Sequence, residues 1–276
     1  MSTRPVTSIS RRSILRNAIT FSAVLACGSA GTFVLLHAAD PKAEPEWRKL
    51  PLIKDGKVDP DWVHVGWGAL VVDGEALRTE CNAKGLGLLV YKKERMGNCQ
   101  IKVVYKSKDT KSNSGVYVRM ADGILDQVKQ PGAAFERDAA GKPSKESAEK
   151  MKASSEREEG PWYAVHHGFE VQIADGGDEW HRTGSIYSLA PSSFAAKNAG
   201  EWRTMIITLT GDKVQVEIDG KQVSSFDSKT ASPPARVQWY EPKREHKRPE
   251  TGYFGLQNHD PGDIVWFKEV SVRALK

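Results

Sequence analysis

"WRTMIITLTGDKVQVEIDGKQVSSF", residues 202–226, decides the fold. Its three runs, "MIITL", "VQVEI" and "KQVSSF", are separated by Gly211-Asp212 and Asp219-Gly220. Gly-Asp and Asp-Gly pairs supply the positive φ angles of tight hairpin turns. Within the runs, apolar residues alternate with polar ones, the period of a half-buried strand. Strands joined by two-residue turns pair antiparallel, so this stretch is a meander within one sheet.

The same rhythm extends in both directions. "ALVVDGEALRT" (69–79) is a hairpin around Asp73-Gly74. "GLGLLVYKK" (85–93), "CQIKVVYKS" (99–107) and "SGVYVRM" (114–120) follow as strands. "GFEVQIAD" (168–175), "TGSIYSL" (183–189), "GYFGLQNH" (252–259) and "IVWFKEVSVRAL" (264–275) complete the set. About a dozen short strands, with turn signals roughly every ten residues, predict an all-β fold. The expected architecture is a two-sheet antiparallel jelly-roll sandwich.

Two stretches break the rhythm. Residues 121–160 are charged and Ala-rich, and "KPSKESAEKMKASSEREE" reads as a solvated helix or mobile loop. Residues 231–250, "ASPPARVQWYEPKREHKRPE", are Pro-rich and basic. Both lie between strands of one pattern and are read as insertions. The expected organisation is a leader over 1–39, a linker over 40–59 and one domain over 60–276.

Of the 276 residues, 40 are Lys or Arg and 35 are Asp or Glu, a net charge of +5. The excess sits in the leader: without Arg4, Arg11, Arg12 and Arg16, 36 basic residues face 35 acidic ones. A nucleic-acid partner is therefore not expected, because phosphate binding needs concentrated cations. The mean hydropathy of −0.49 fits a soluble domain. "SRRSILR" (10–16) has the twin-arginine export pattern, followed by a weakly apolar run from Ala18 to Leu36. Cleavage is expected near Ala38–Ala39, and "VLAC" (24–27) leaves lipidation of Cys27 open. The expected location is the periplasm or cell envelope, with membrane contact only through the leader or Cys27. Export permits a disulfide between Cys81 and Cys99; two buried thiols are the alternative.

The order of local motifs adds a family resemblance. "NSGVYVR" (113–119), "GFEVQIAD" (168–175), "TGSIY" (183–187), "GEWRTMII" (200–207), "VEIDGKQV" (216–223) and "GYFGLQNHD" (252–260) occur in sequence. Over residues 60–276 the chain resembles the 3-keto-disaccharide hydrolase family. It departs in having Arg203 where Asn is usual, and in the length of the 121–160 insertion. The resemblance implies a concanavalin A-like jelly roll. It also implies action on sugars already oxidised at the third carbon, with a sugar 3-oxidoreductase acting upstream. A ketone there acidifies the C-2 hydrogen, so a base can remove it and the anomeric substituent leaves by elimination. Such chemistry needs a base, an acid for the leaving oxygen and donors for the enolate oxygen.

Strand alternation places candidates for these roles. Phe169, Val171 and Ile173 take one face, leaving Glu170 and Gln172 on the other. By the same argument Tyr117 and Arg119, Tyr187, and Gln257 with His259 share that face. Glu170 is the expected base and His259 an acid or base, with Asp175 supporting. Tyr117, Arg119, Gln172, Tyr187 and Gln257 are expected to bind substrate, and the loop residues Trp180 and Trp239 to border the cleft. Trp202 and Trp266 are expected in the core, and Asn113 and Gly115 in a turn. No cofactor is assigned, and His166 and His167 leave a divalent ion open. Two rival readings remain. Glu170, Gln172 and Asp175 have the spacing of the acidic strand of laminarinase-like retaining glycosidases, with an amide in the middle and a shorter last acid, which would pair Glu170 with Asp175. A non-catalytic sugar-binding module needs only the cleft.

Overall fold

The computed structural model describes residues 45–139, 141–195 and 199–275. In chain order its strands are β1 (Arg48–Lys49), β2 (Ile53–Lys54), β3 (Lys57–Val58), β4 (Trp62–Gly66), β5 (Ala69–Asp73), β6 (Ala76–Glu80), β7 (Gly87–Met96), β8 (Cys99–Ser107) and β9 (Asn113–Met120). A 3-10 helix over Asp122–Lys129, α1 (Lys145–Glu156) and α2 (Pro161–His167) intervene. Then come β10 (Phe169–Ala174), β11 (Arg203–Thr210), β12 (Lys213–Ile218), β13 (Lys221–Asp227), β14 (Gly252–Asn258) and β15 (Val265–Ala274).

Thirteen of the strands form two antiparallel sheets, and β2 with β3 forms a separate two-stranded hairpin. The larger runs β13-β12-β11-β8-β15-β6-β5, with β1 also paired to β15, and contains the opening meander as three neighbours at one end. The smaller runs β10-β9-β14-β7-β4. The main apolar core lies between the sheets: Val116, Val118, Phe169, Val171, Ile173, Phe254 and Leu256 meet Ile101, Val103, Met205, Ile207, Val216 and Phe267. The alternation argument therefore holds on β10, whose odd-numbered residues are buried in this core. The leader, including Arg11, Arg12 and Cys27, lies outside the described residues. No helix among the described residues is long and apolar enough to cross a membrane.

Several expectations are corrected. The stretch assigned to a linker is structured from residue 48 on, because β1 joins the larger sheet through β15 and β2 pairs with β3 in a separate hairpin. "TGSIY" forms no regular strand. It lies along β10 as an irregular edge, with Gln172 N–H bonding Ser185 O at 3.0 Å and Tyr187 N–H bonding Glu170 O at 2.9 Å. The helix α1 is not fully solvated, since Ser147, Met151, Ser154 and Ser155 are buried along one face. Small serines suit that face because they let other backbone approach. Ser154 Oγ accepts from Ala133 N–H at 2.9 Å, Ser147 Oγ from Glu136 N–H at 2.6 Å, and Ser155 Oγ donates to Trp239 O at 3.1 Å. One helix thus fastens the 133–136 segment and the 231–250 loop over the outer face of the smaller sheet.

Trp202 is 42 % exposed instead of packed in the core, because it precedes β11 and lies between the Lys106 and Lys268 ammonium groups. Trp266 is half-buried on the outer face of the larger sheet, its indole N–H bonded to Asp73 at 2.8 Å. Cys81 and Cys99 are free thiols. Cys81 lies by Asp263, just before β15, whereas Cys99 pairs with Ala274 at the far end of that strand. About nine residues of extended chain, roughly 30 Å, separate them.

Candidate active site

A cleft of about 350 Å³ opens on the outer face of the smaller sheet. Its floor comes from three adjacent strands and the edge segment: Tyr117 and Asn113 on β9, Glu170 and Gln172 on β10, Gln257 on β14, and Tyr187. Glu170 lies directly opposite Tyr117 in the antiparallel register, and Gln172 opposite Gly115. Cross-strand neighbours in such a pair are close enough to bond. The Tyr117 hydroxyl donates to Glu170 Oε2 at 2.6 Å, and Gln257 Nε2 lies 3.4 Å from that hydroxyl. With its amide nitrogen turned to the acceptors, Gln172 donates to Ser114 O at 2.8 Å and Glu170 Oε1 at 3.2 Å. Gly115 makes room for the carboxylate, since a Cβ there would stand 2.6 Å from Glu170 Oε1. Its place is mid-strand, against the expected base, and not in a turn.

Burial pushes the Glu170 carboxyl up to about 7, against the lowering effect of Tyr117, His259 and Gln257. Among the described residues no cation is hydrogen-bonded to it, and the neutral donors and the more distant histidine only partly offset the loss of water around its charged form. The Gln257 Oε1 atom is buried without a hydrogen-bond partner among the described residues.

His259 follows β14 directly. Asn258 before it is buried, donating to Trp67 O at 2.8 Å and bonding His64 at 3.0 Å, which fixes where the strand ends. The His259 ring then faces the cleft, and its Nδ1 is 2.9 Å from Asp263 Oδ2. Burial works against the imidazolium, but the bond to Asp263 and the charges of Asp260, Asp263 and Glu170 raise its pKa overall. Asp263 also accepts from Asp260 N–H at 3.0 Å, closing the "DPGD" turn that carries it. The sequence reading overlooked Asp263. Its signal was a carboxylate four residues after a strand-end histidine.

The upper walls come from the two insertions and from α2, which follows the first of them. Phe135, Trp162 and Val165 on α2, Trp239 and Tyr240 line the cleft together with Leu86. Trp239 is where the sequence placed it.

Three predicted residues do not reach the cleft. Asp175 has a fully covered side chain that bonds Thr183 Oγ1 at 2.6 Å and Arg203 at 2.7 Å. It joins the two sheets, and β10 ends before it, so alternation does not carry it onto the floor. Arg119 has φ +52°, which breaks the alternation of β9. Its buried guanidinium turns away from the cleft to donate to the Gly211 carbonyl, in the turn between β11 and β12. Trp180 is held in the 176–182 loop, where its N–H meets Asp178 at 2.8 Å and its carbonyl accepts from Ser188. It does not line the cleft.

A model of the 3-keto-alpha-glucoside-1,2-lyase-like domain matches residues 46–273. The chain belongs to that family. Among solved structures it is similar to a candidate glycosyl hydrolase of Parabacteroides distasonis, at 20 % identity and a TM-score of 0.53, over 83 % of this chain and 100 % of that one. A second candidate glycosyl hydrolase of the same organism matches at 18 % identity and TM-score 0.48, over 80 % and 91 %. A carbohydrate-binding module of Bacillus subtilis matches at 10 % identity and TM-score 0.45, over 78 % and 96 %. No curated protein sequence matches the chain. The first of these structures supports the sandwich fold. Family membership makes the domain one of a carbohydrate-active group. The departure noted at Arg203 has a structural meaning: it is the cation that neutralises Asp175.

A separate polar cluster ties the two insertions together. Glu158 bonds His167 Nε2 at 2.5 Å, His246 Nε2 at 2.7 Å and Lys243 Nζ at 2.7 Å. The two histidine nitrogens and a Glu158 oxygen lie within 4.8 Å of one another, a donor set of the type that holds a divalent transition metal. The Lys243 ammonium already stands at the same carboxylate. His166 takes no part, because its ring is buried against Ser155 and Lys243 N–H.

Proposed function

We propose that the protein cleaves 3-keto-glycosides by abstraction of the C-2 proton and elimination of the anomeric substituent, followed by hydration. The observation that carries this reading is Glu170: a carboxylate on the cleft floor, without a bonded cation, poised near pH 7. A general base is most effective when its pKa lies near the working pH. The 3-ketone supplies the acidity that an ordinary glycoside lacks.

In the proposed reaction Glu170 takes the C-2 proton, and the C–H electrons form the enolate of the C-3 ketone. The amides of Gln257 and Asn113 offer donors to the enolate oxygen, and the unpartnered Gln257 Oε1 accepts from a sugar hydroxyl. The enolate re-forms the ketone as a C-1–C-2 double bond forms and the C-1–O bond breaks. His259, whose pKa Asp263 helps to raise, gives a proton to the departing oxygen. Glu170 then releases its proton and His259 regains one, so the enzyme returns to its starting state. Water adds to the unsaturated ketone in a later step. A substrate of this kind must come from an enzyme that oxidises sugars at C-3. The arginine pair of the leader supports export to the cell envelope as the setting.

The paired-carboxylate alternative loses its second acid, because Asp175 is sealed against Arg203. The deciding experiment offers the domain a 3-keto-glucoside and the same glucoside unoxidised. Elimination predicts turnover of the first alone, with solvent deuterium entering C-2. Equal release of sugar from both would sink the proposal.

A further inference from the structure

The two walls of the cleft differ in chemistry as well as origin. The sheet contributes carboxylate, amide and phenol groups, whereas the insertions and α2 contribute Phe135, Trp162, Val165, Trp239 and Tyr240. No charged or amide side chain interrupts this upper wall. The Trp162 indole N–H is engaged by Met151 Sδ at 3.3 Å. At the rim, Asp260 is paired with Arg137 at 2.8 Å, and the Arg137 guanidinium lies over the Phe135 ring at 5.2 Å. The hydrogen-bonding groups this wall still offers a guest are the Trp239 indole N–H and the Tyr240 hydroxyl, both on aromatic rings.

The rings do not form a flat shelf. Trp162 and Trp239 have centroids 5.3 Å apart and planes at 56°, while Trp239 and Tyr240 are 5.4 Å apart at 79°. A sugar lays its C–H face flat on one ring and needs polar groups around it for its hydroxyls. An aromatic guest fits a tilted cluster by adding another edge-to-face contact, and asks for no hydrogen bonds. The wall is also held in place from behind: Ser155 on α1 bonds Trp239 O, and Ser154 bonds Ala133 N–H close to Phe135.

We propose that this wall is an aglycone subsite that takes an aromatic group, so that the substrates are 3-keto-glycosides of phenols or aryl-bearing alcohols and not of a second sugar. This rests on the function proposed above, which assigns the oxidised sugar to the polar floor and leaves its anomeric substituent to the insertions.

Phenols leave more readily than sugars, so the test uses an alkanol, which leaves no more readily than a sugar hydroxyl: the 3-keto derivatives of 2-phenylethyl glucoside and of a glucose disaccharide are compared. The phenylethyl compound is expected to have a kcat/KM at least about tenfold higher, the scale set by burying one ring in an apolar pocket. Trp239→Ala, checked for unchanged melting, should bring that ratio to about threefold or less, and Trp239→Phe should keep most of it. Calorimetry with the unoxidised glucosides gives a second readout, in which 2-phenylethyl glucoside should bind more tightly than the disaccharide and lose that advantage in Trp239→Ala. Preference for the disaccharide, or a ratio indifferent to Trp239, overturns the aromatic subsite while leaving the elimination reading intact. Trp239-dependent binding of the phenylethyl glucoside without cleavage of either ketone supports the subsite and overturns the elimination reading.

Discussion

Glu170 and Asp175 stand five residues apart on one stretch of chain, and their surroundings are opposite. Asp175 is sealed from solvent but meets a guanidinium from the other sheet and a threonine hydroxyl. Glu170 faces a cleft, is bonded by a phenol and carboxamides, and has no bonded cation among the described residues. A buried carboxylate with a matched cation is a structural joint, while one without is held near the pH at which it can exchange a proton. The pair shows how one strand serves both purposes: the regular part presents its side chain to the cleft, and the residue past its end reaches across the sandwich.

The sharpest way to break the comparison is Glu170→Gln. The swap keeps shape and removes the charge, so turnover of a 3-keto-glucoside is expected to fall by about 10²–10⁴. Stability should respond to pH in a defined window. The folded-state pKa of Glu170 is raised, so its contribution is fully present below its ordinary value of 4.5 and is lost as pH rises through about 7. Melting of the wild type relative to Glu170→Gln should therefore decline across that window and stay level above it. A pH-independent difference in melting would place the carboxylate in water.

Arg203→Met acts on the other member. It leaves Asp175 covered and unpaired, which should cost about 3–5 kcal/mol of stability by denaturant unfolding. Turnover per folded molecule should change by no more than about threefold. Adding Asp175→Leu should restore most of the stability, because an apolar pair tolerates that site. A loss of turnover without a loss of stability would return Asp175 to the catalytic group.

The smallest expected effect is that of Asp263→Asn. Asparagine keeps an acceptor for His259 Nδ1–H and removes only the charge that helps to raise the histidine. Turnover should drop by about tenfold. The profile of kcat/KM needs Glu170 ionised and His259 protonated. Its acidic limb should therefore lie near 7 and stay there in the variant, while its alkaline limb moves to lower pH. A profile unchanged on both limbs would remove the histidine from the reaction.

Alternation made the floor of the cleft readable, because Glu170, Gln172, Tyr117 and Gln257 all lie on regular strands where odd and even positions part. It failed at Arg119, where one left-handed residue turns the side chain toward the other sheet. It failed again at Asp175, whose partner is distant in sequence and lies on a different sheet. The hairpins and the two-sheet class follow from turn pairs and period, both local signals. The aromatic wall was beyond such signals: Phe135 and Trp162 sit in segments without a strand period, and only the serine face of α1 brings them to Trp239. Trp239 alone was placed correctly, by its position in a loop. The cysteines show the same limit, since proximity in a sheet depends on strand order and not on spacing.

The position of β15 has a bearing on how the chain is made. Residues 265–274 leave the ribosome after every other described strand, yet they lie in the interior of the larger sheet, between β8 and β6. Until they arrive, β8 and β6 have unpaired edges and β1 has no partner. The sandwich cannot close around a nascent chain, and its many long-range pairings make closure slow. Assembly therefore waits until β15 has been made, leaving an interval in which the half-built sheet is exposed to chaperones or to aggregation.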